Sequence, residues 1–184
     1  TERVHAYKNL IGGALRAVTD DAKREAILKR VAATLSDEKT VQLFILAPFG
    51  KSTWRLVENL CEAEQAKYWR VVTPDWLHDN DAENNEAVEM LLKAKRPRAA
   101  FSCVKYHPEK LDAQVLFRLL SEMAHGGNDQ PDQYTLEHYH VEKAFEHLSS
   151  SATLSLDQKA GLEFAYIEVL ARPWDRRDSY GIPN

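Results

Sequence analysis

The chain has 184 residues, of which 44% are hydrophobic and 28% are charged, and these proportions exclude an intrinsically disordered chain. It contains only 7 glycines and has a formal net charge of −4. Few glycines argue against the glycine-rich phosphate loops of cofactor-binding α/β enzymes. The negative charge gives the chain no overall attraction to nucleic acids or anionic membranes.

The first two predicted helices each carry one apolar stripe, because apolar residues recur three or four positions apart. The first stripe consists of Val4, Tyr7, Leu10, Ile11, Leu15 and Val18, and the second of Ala26, Ile27, Val31, Thr34 and Leu35. We expect both stripes to face the protein core.

The central part of the chain is predicted to form six shorter helices. Ser36 and Asp37 begin a helix that ends at Gly50, and Ser52 or Thr53 caps the next one. Further helices are predicted over 62–72, over 83–95, from Pro97 onwards and over 111–124.

The last part of the chain is predicted to form a loop at 126–132 and a pair of longer helices within 135–172. We expect the last helix, at about 155–171, to place five apolar residues in the core: Leu162, Phe164, Ala165, Ile167 and Leu170. This makes about ten helices without strand alternation, so the predicted fold is all-α.

A weak internal repeat relates two parts of the chain. A shift of 47 residues aligns Val41 with Val88, Phe44 with Leu91, Ile45 with Leu92, Ala47 with Ala94, Trp54 with Phe101 and Val57 with Val104. The pattern predicts two units at about 37–80 and 83–124, followed by the pair at 135–172, in a single HEAT-like α-solenoid domain of antiparallel helices over 1–184. The alternative is a chance alignment of two amphipathic segments.

Several stretches resemble helical-repeat regions of very large bacterial multidomain proteins. They are Leu43-Phe-Ile-Leu-Ala-Pro-Phe-Gly-Lys-Ser-Thr-Trp54, Tyr68-Trp69, Arg96-Pro-Arg-Ala-Ala100 and the stretch from Tyr166 to Pro183. Some of those proteins resemble antiphage NTPases, which join a nuclease or other effector to an NTPase core, the motor, and to a long helical sensor array. The resemblance implies that this chain belongs to the array and not to the motor, and it carries over no catalytic residue.

Gly50-Lys51-Ser52-Thr53 matches the end of a phosphate-binding loop, so a degenerate nucleotide-binding domain around Lys51 is one alternative. Such a loop needs a glycine where Ile45 stands, and Pro48 removes a backbone donor. The alternative also requires residues 41–47 to form a buried strand. A helix end followed by a new helix start explains the same residues.

No pattern for enzyme chemistry is present, and we expect a protein without catalytic activity, cofactor or metal. His138 and Glu142 have helical spacing, but two ligands are fewer than zinc requires. Cys61 and Cys103 are too few for a disulfide framework and are expected to be buried, reduced thiols.

Basic residues cluster in a ridge within 93–110, which indicates a nucleic-acid-binding domain as a second alternative. The candidate contact residues are Lys93, Lys95, Arg96 and Arg98, with a second cluster of Arg172, Arg176 and Arg177. Basic residues at helix ends also have a purely structural explanation in the helix dipole. Trp76, in an acidic turn, is the tryptophan expected to face a partner.

The sequence favours a recognition or scaffold segment that binds another protein. The resemblance to antiphage proteins implies that this partner is a foreign protein. Its longest apolar run, 41–47, is far shorter than the ~20 residues that span a bilayer, and no signal peptide is recognisable. We therefore expect a cytoplasmic protein without membrane contact. The chain begins at Thr1, and we expect it to be a fragment of a longer protein.

Overall fold

The computed structural model describes residues 2–75, 80–125 and 138–171, and in these ranges it contains helices and turns but no strand. Ten α-helices are present there, with one 3₁₀ helix at Pro108–Lys110. The α-helices are α1 (Glu2–Ala17), α2 (Asp21–Ala32), α3 (Asp37–Leu46), α4 (Lys51–Val57), α5 (Glu62–Val71), α6 (Asp81–Lys93), α7 (Pro97–Ser102), α8 (Ala113–Ala124), α9 (His138–Ser150) and α10 (Leu156–Ala171). The prediction of an all-α fold is confirmed for the described residues.

Polar side chains fix where three of the helices begin. Asp20 accepts a hydrogen bond from the backbone N–H of Lys23 at 3.0 Å, and Asp112 accepts one from Gln114 at 2.9 Å. Asn80 accepts from the backbone of Glu83 at 3.1 Å and donates to the Glu83 carboxylate at 2.7 Å. These bonds satisfy backbone donors that the first helical turn leaves unpaired.

The helices pack mainly against close neighbours in the chain. The extensive contacts join helices no more than two positions apart, such as α3 with α5, α6 with α8, and α8 with α10. The first two helices pack on α3 and α4, whereas the last two pack on α8 and the 3₁₀ helix. The chain therefore has a first and a last group of helices that are not in extensive contact with each other.

Aromatic side chains fill the core between α3, α4 and α5. The rings of Trp54 and Trp69 lie 5.7 Å apart, and Phe49 packs edge-on against Trp54 at 5.0 Å. Tyr68 is completely buried beside Trp69. Such edge-to-face pairs are the favoured geometry of buried aromatic rings, and they hold α4 and α5 in a fixed relationship.

The two segments predicted to be repeats contain three α-helices each, and the second also contains the 3₁₀ helix between α7 and α8. A helix of 10 residues, a short one of 7 and another of 10 form the first segment, and helices of 13, 6 and 12 residues form the second. Four aligned pairs are buried on both sides: Val41 with Val88, Phe44 with Leu91, Trp54 with Phe101, and Val57 with Val104.

Candidate functional site

The last described helix, α10, carries apolar side chains on two faces. Leu162 and Tyr166 are buried, at 4% and 3% exposure. Leu156, Phe164 and Ile167 are 80%, 67% and 61% exposed, and with the exposed Ala160 they form a stripe at positions 156, 160, 164 and 167. This stripe has helical spacing, and we call it the outer face of α10.

The prediction that Phe164 and Ile167 lie in the core is therefore wrong, while that for Leu162 is confirmed. The periodic pattern of α10 contains two apolar stripes, and periodicity alone does not say which stripe meets the neighbouring helices. In the first two helices the inward expectation is confirmed for Leu15, which is buried, and is wrong for four exposed residues: Leu10, Ile11, Ile27 and Val31.

A groove between α9 and α10 adjoins the outer face. It encloses about 230 Å³ and is lined by Val141 and Phe145 from α9 and by Tyr166 and Ile167 from α10. The rings of Phe145 and Tyr166 pack edge-on with centroids 4.9 Å apart. These side chains give the groove an apolar floor, which Ile167 connects to the outer face of α10.

The rim of the groove is acidic. Glu142 and Glu163 line it together with His138, and all three are exposed; the exposed Asp157 lies one turn before Ala160 on α10. Of the lysines on these two helices, Lys143 lies 3.8 Å from Glu146, and Lys159 donates to the carbonyl oxygens of Ser149 and Ser151 at 2.9 and 2.7 Å. The Lys159 ammonium is thus held at the end of α9, and carboxylates dominate the edge of the apolar surface.

The phenol of Tyr166 stays neutral beneath this surface. Burial raises the pKa of Tyr166 well above its ordinary range, and the charge of Arg98 only partly opposes this effect. Arg98 belongs to α7, and its charge acts on the buried phenol of Tyr166 on α10. Arg98 is half-buried, so it is a poorer surface contact than the sequence suggested.

The basic residues of 93–110 do not all lie on one exposed surface. Lys93 and Lys95 are exposed at the end of α6, whereas Lys110 lies 3.4 Å from Asp81 at the start of that helix. The 13 residues of α6 separate the two ends by about 18 Å. The ridge is therefore divided between opposite ends of α6.

Arg96 was predicted to belong to the exposed ridge, and this prediction is wrong. The residue is 6% exposed, and its guanidinium donates to the carbonyl oxygens of Trp69 at 2.9 Å and Val72 at 2.8 Å. Arg96 thus satisfies carbonyls at the C-terminal end of α5. The other predicted contact residues, Trp76, Arg172, Arg176 and Arg177, lie outside the described residues.

The segment around Lys51 joins two helices and does not form a phosphate-binding loop. Residues 41–46 belong to α3, so the buried strand that such a loop requires is absent here. The backbone N–H of Lys51 donates to Glu83 at 3.2 Å, and its ammonium lies 2.6 Å from Glu86. Two carboxylates therefore occupy the donors that a phosphate would need.

The hydroxyl groups of this segment also have partners. Thr53 is completely buried and donates to the carbonyl oxygen of Pro48 at 2.8 Å. Ser52 accepts from Arg24 at 3.3 Å. The cleft beside them encloses about 510 Å³ and contains both basic and acidic side chains, which is typical of a helix junction held by ion pairs.

The described residues contain no group of three or more His, Cys, Asp or Glu side chains placed to hold a metal ion. Cys103 is buried, as expected, but Cys61 is exposed, which corrects the prediction for that thiol.

Within the described ranges, every helix is too short or too polar to cross a lipid bilayer.

Comparison with known proteins gives no relative for this chain: no protein-family model, curated protein or solved structure matches it.

Proposed function

We propose that this chain is a HEAT-like helical-repeat segment that binds another protein without catalysing a reaction, and that the outer face of α10 is its main contact surface. Two observations support this proposal: each helix packs mainly on helices close to it in the chain, and α10 exposes large apolar side chains to solvent.

The packing between close neighbours supports the solenoid part of the proposal. In helical-repeat proteins each unit contacts only the adjacent units, and their stacking creates extended binding surfaces. The repeated order of α-helices in α3–α5 and α6–α8 is compatible with such units, as is the burial of aligned pairs such as Trp54 and Phe101.

The exposure of Phe164 and Ile167 is the observation that carries the protein-binding part. Large apolar side chains scattered singly on a surface are common, but contiguous apolar patches with a polar rim mark interaction sites. Phe164 is 67% exposed and Ile167 is 61% exposed, one turn apart on α10. An aromatic side chain at the centre of such a patch is a typical anchor of a protein interface.

A photo-crosslinking amino acid at position 164 tests the proposal. In the protein's own cells we expect one discrete adduct, which is lost when Ile167 is changed to Glu. A crosslinker at Val71, which is 54% exposed on α5, serves as the matched control and should give no such adduct.

The captured protein is then purified, and its affinity is measured by titration calorimetry. Phe164→Glu should weaken binding by about tenfold or more, because interface aromatic residues contribute a large share of the binding energy. Val71→Glu should leave the affinity unchanged. Equal affinities of both variants would contradict the proposed surface.

The same preparations separate the two alternative functions. A degenerate nucleotide-binding domain should bind a fluorescent ATP analogue in a way that Lys51→Ala abolishes. A nucleic-acid-binding domain should give a salt-sensitive gel shift that is lost when Lys93 and Lys95 are changed to Glu. We expect neither result.

A further inference from the structure

The chemistry of the α10 surface defines the partner that would fit it. The outer face is apolar, and its flanking carboxylates belong to Glu142, Glu163 and Asp157. A complementary surface is a helix that presents apolar side chains one turn apart with basic residues beside them. Opposite charges at the rim favour such a helix and disfavour an acidic one.

Helix α2 of this chain has that composition. Ile27 and Val31 lie one turn apart and are 43% and 39% exposed. The charged residues one turn from Ile27 are all basic: Lys23, Arg24 and Arg30. No acidic residue lies three or four positions from Ile27 or from Val31 in the sequence.

The cations beside Ile27 differ in their availability. Lys23 and Arg30 are exposed, and Lys23 has an exposed partner, Asp20, at 3.6 Å. Arg24 is largely buried: it pairs with the carboxylate of Asp21 and donates to the carbonyl oxygen of Val18 and the hydroxyl of Ser52. A pair between exposed side chains is worth at most about 1 kcal/mol, so Lys23 and Arg30 remain able to face the carboxylates of a partner.

The two faces are not in extensive contact within one chain. Helix α2 packs on α3 and α4, and α10 packs on α8. Extensive contact between them therefore requires two copies. We propose that the outer face of α10 in one copy binds the Ile27–Val31 face of α2 in a second copy, so that copies associate head to tail. This inference rests on the proposed function, because it names the partner of the same surface.

Head-to-tail contact is heterologous: each copy uses one face and keeps the other free. Blocking either face should stop association of a single variant, yet two variants blocked on different faces should still pair. An isologous dimer, in which both copies use the same face, does not show this complementation.

Sedimentation equilibrium over a concentration series tests the proposal with four proteins. The unchanged chain and the control Val71→Glu should rise above the 21.0 kDa of one chain as concentration increases. Phe164→Glu and Ile27→Glu should each remain at that mass, because a carboxylate replaces an exposed apolar contact on one face. Circular dichroism of each variant checks that the helices are retained.

The decisive sample is a mixture of Phe164→Glu and Ile27→Glu. We expect a one-to-one complex, since the first variant retains the α2 face and the second retains the α10 face. A charge exchange gives a second test. Glu163→Lys should weaken association by about tenfold, because it places a cation opposite the basic residues of α2. Mixing the Glu163→Lys variant with a Lys23→Glu variant should recover part of the lost affinity.

The proposal is overturned if the unchanged chain stays at 21.0 kDa throughout, if neither variant changes the association, or if the mixture does not pair. The crosslinking experiment distinguishes this failure from failure of the proposed function. A different protein captured at position 164 by a monomeric chain would refute self-association and support the recognition role, whereas no adduct of any kind would refute both.

Discussion

The guanidinium of Arg96 donates a hydrogen bond to the carbonyl oxygen of Val72 at 2.8 Å and so connects the start of α7 to the end of α5. A second bond reaches the carbonyl oxygen of Trp69 at 2.9 Å. Both acceptors lie at the C-terminal end of a helix, where carbonyl groups lack helical partners and carry partial negative charge. The buried cation therefore joins the two repeat-like segments, α3–α5 and α6–α8.

We expect Arg96→Met to destabilise the fold by about 2–4 kcal/mol, because it leaves two buried carbonyl groups without their donor. Lys93→Met, at an exposed position three residues earlier, should change the free energy of unfolding by less than about 0.5 kcal/mol. Urea denaturation followed by circular dichroism measures both. Equal stability of the two variants would show that Arg96 is a surface residue.

Lys95 occupies a backbone conformation that favours glycine. Its φ angle is 61°, and the backbone N–H groups of Lys95 and Arg96 donate to Leu92 and Leu91 at 2.9 Å each. This is the Schellman arrangement, in which glycine usually occupies the left-handed position.

Lys95→Gly should therefore stabilise the fold by about 0.5–1 kcal/mol, because it removes the cost of a side chain in the left-handed region. Lys93→Gly, within the last turn of α6, should instead destabilise it by a similar amount. Thermal unfolding of the two variants shows whether the shifts have opposite signs, and shifts of the same sign would contradict the turn geometry.

The two thiols should react at very different rates. Burial raises the pKa of the Cys103 thiol to about 12, an effect that Asp75 increases and Arg96 opposes, and the residue is completely buried. Cys61 is exposed. Because the thiolate is the reactive form, Ellman's reagent should modify one thiol in the folded chain and two after unfolding in urea.

Cys61→Ser provides the control for the thiol measurement. The folded variant should show almost no rapid reaction, while the unfolded variant should react once. Rapid modification of the folded Cys61→Ser chain would mean that Cys103 is accessible.

Stability should fall at alkaline pH. Burial raises the pKa of Tyr68 and of Tyr166 above the ordinary value of 10.0, and that of Cys103 to about 12. The unfolded chain thus releases these protons first, so their contribution is complete below about pH 9 and is lost as the pH rises through the folded pKa values. Urea denaturation at a series of pH values measures this loss.

Tyr68→Phe should reduce that pH dependence, because it removes one of the three groups. Its buried hydroxyl makes no well-aligned hydrogen bond among the described residues, and the Trp54 indole only partly opposes the effect of burial on its pKa, so the substitution should cost little stability at neutral pH. Tyr106→Phe, at a position that is 53% exposed, should leave the dependence unchanged. Stability that increases with pH would contradict the assignment.

The helical fold could be predicted from the sequence, whereas the exposed surfaces could not. Residues such as Phe44 and Leu91 recur at helical spacing, and both are buried. Phe164 has the same spacing but is exposed, because local periodicity does not specify which stripe of α10 meets α8.

The burial of Arg96 has a similar explanation. In the sequence it belongs to a run of basic residues, and its environment depends on carbonyl groups 24 and 27 positions earlier in the chain. The ion pair between Lys51 and Glu86 likewise joins residues 35 positions apart. Such contacts depend on how the helices pack, which composition and spacing do not determine.

Amide hydrogen exchange can show whether the outer face of α10 is a protein-binding surface. Exchange is compared for the chain at low concentration, at high concentration and with the protein captured at position 164. We predict slower exchange in peptides covering 156–167 under at least one of the last two conditions, with no change around Lys51. Unchanged exchange in α10 under both conditions, or protection confined to the segment at Lys51, would contradict a binding role for that face.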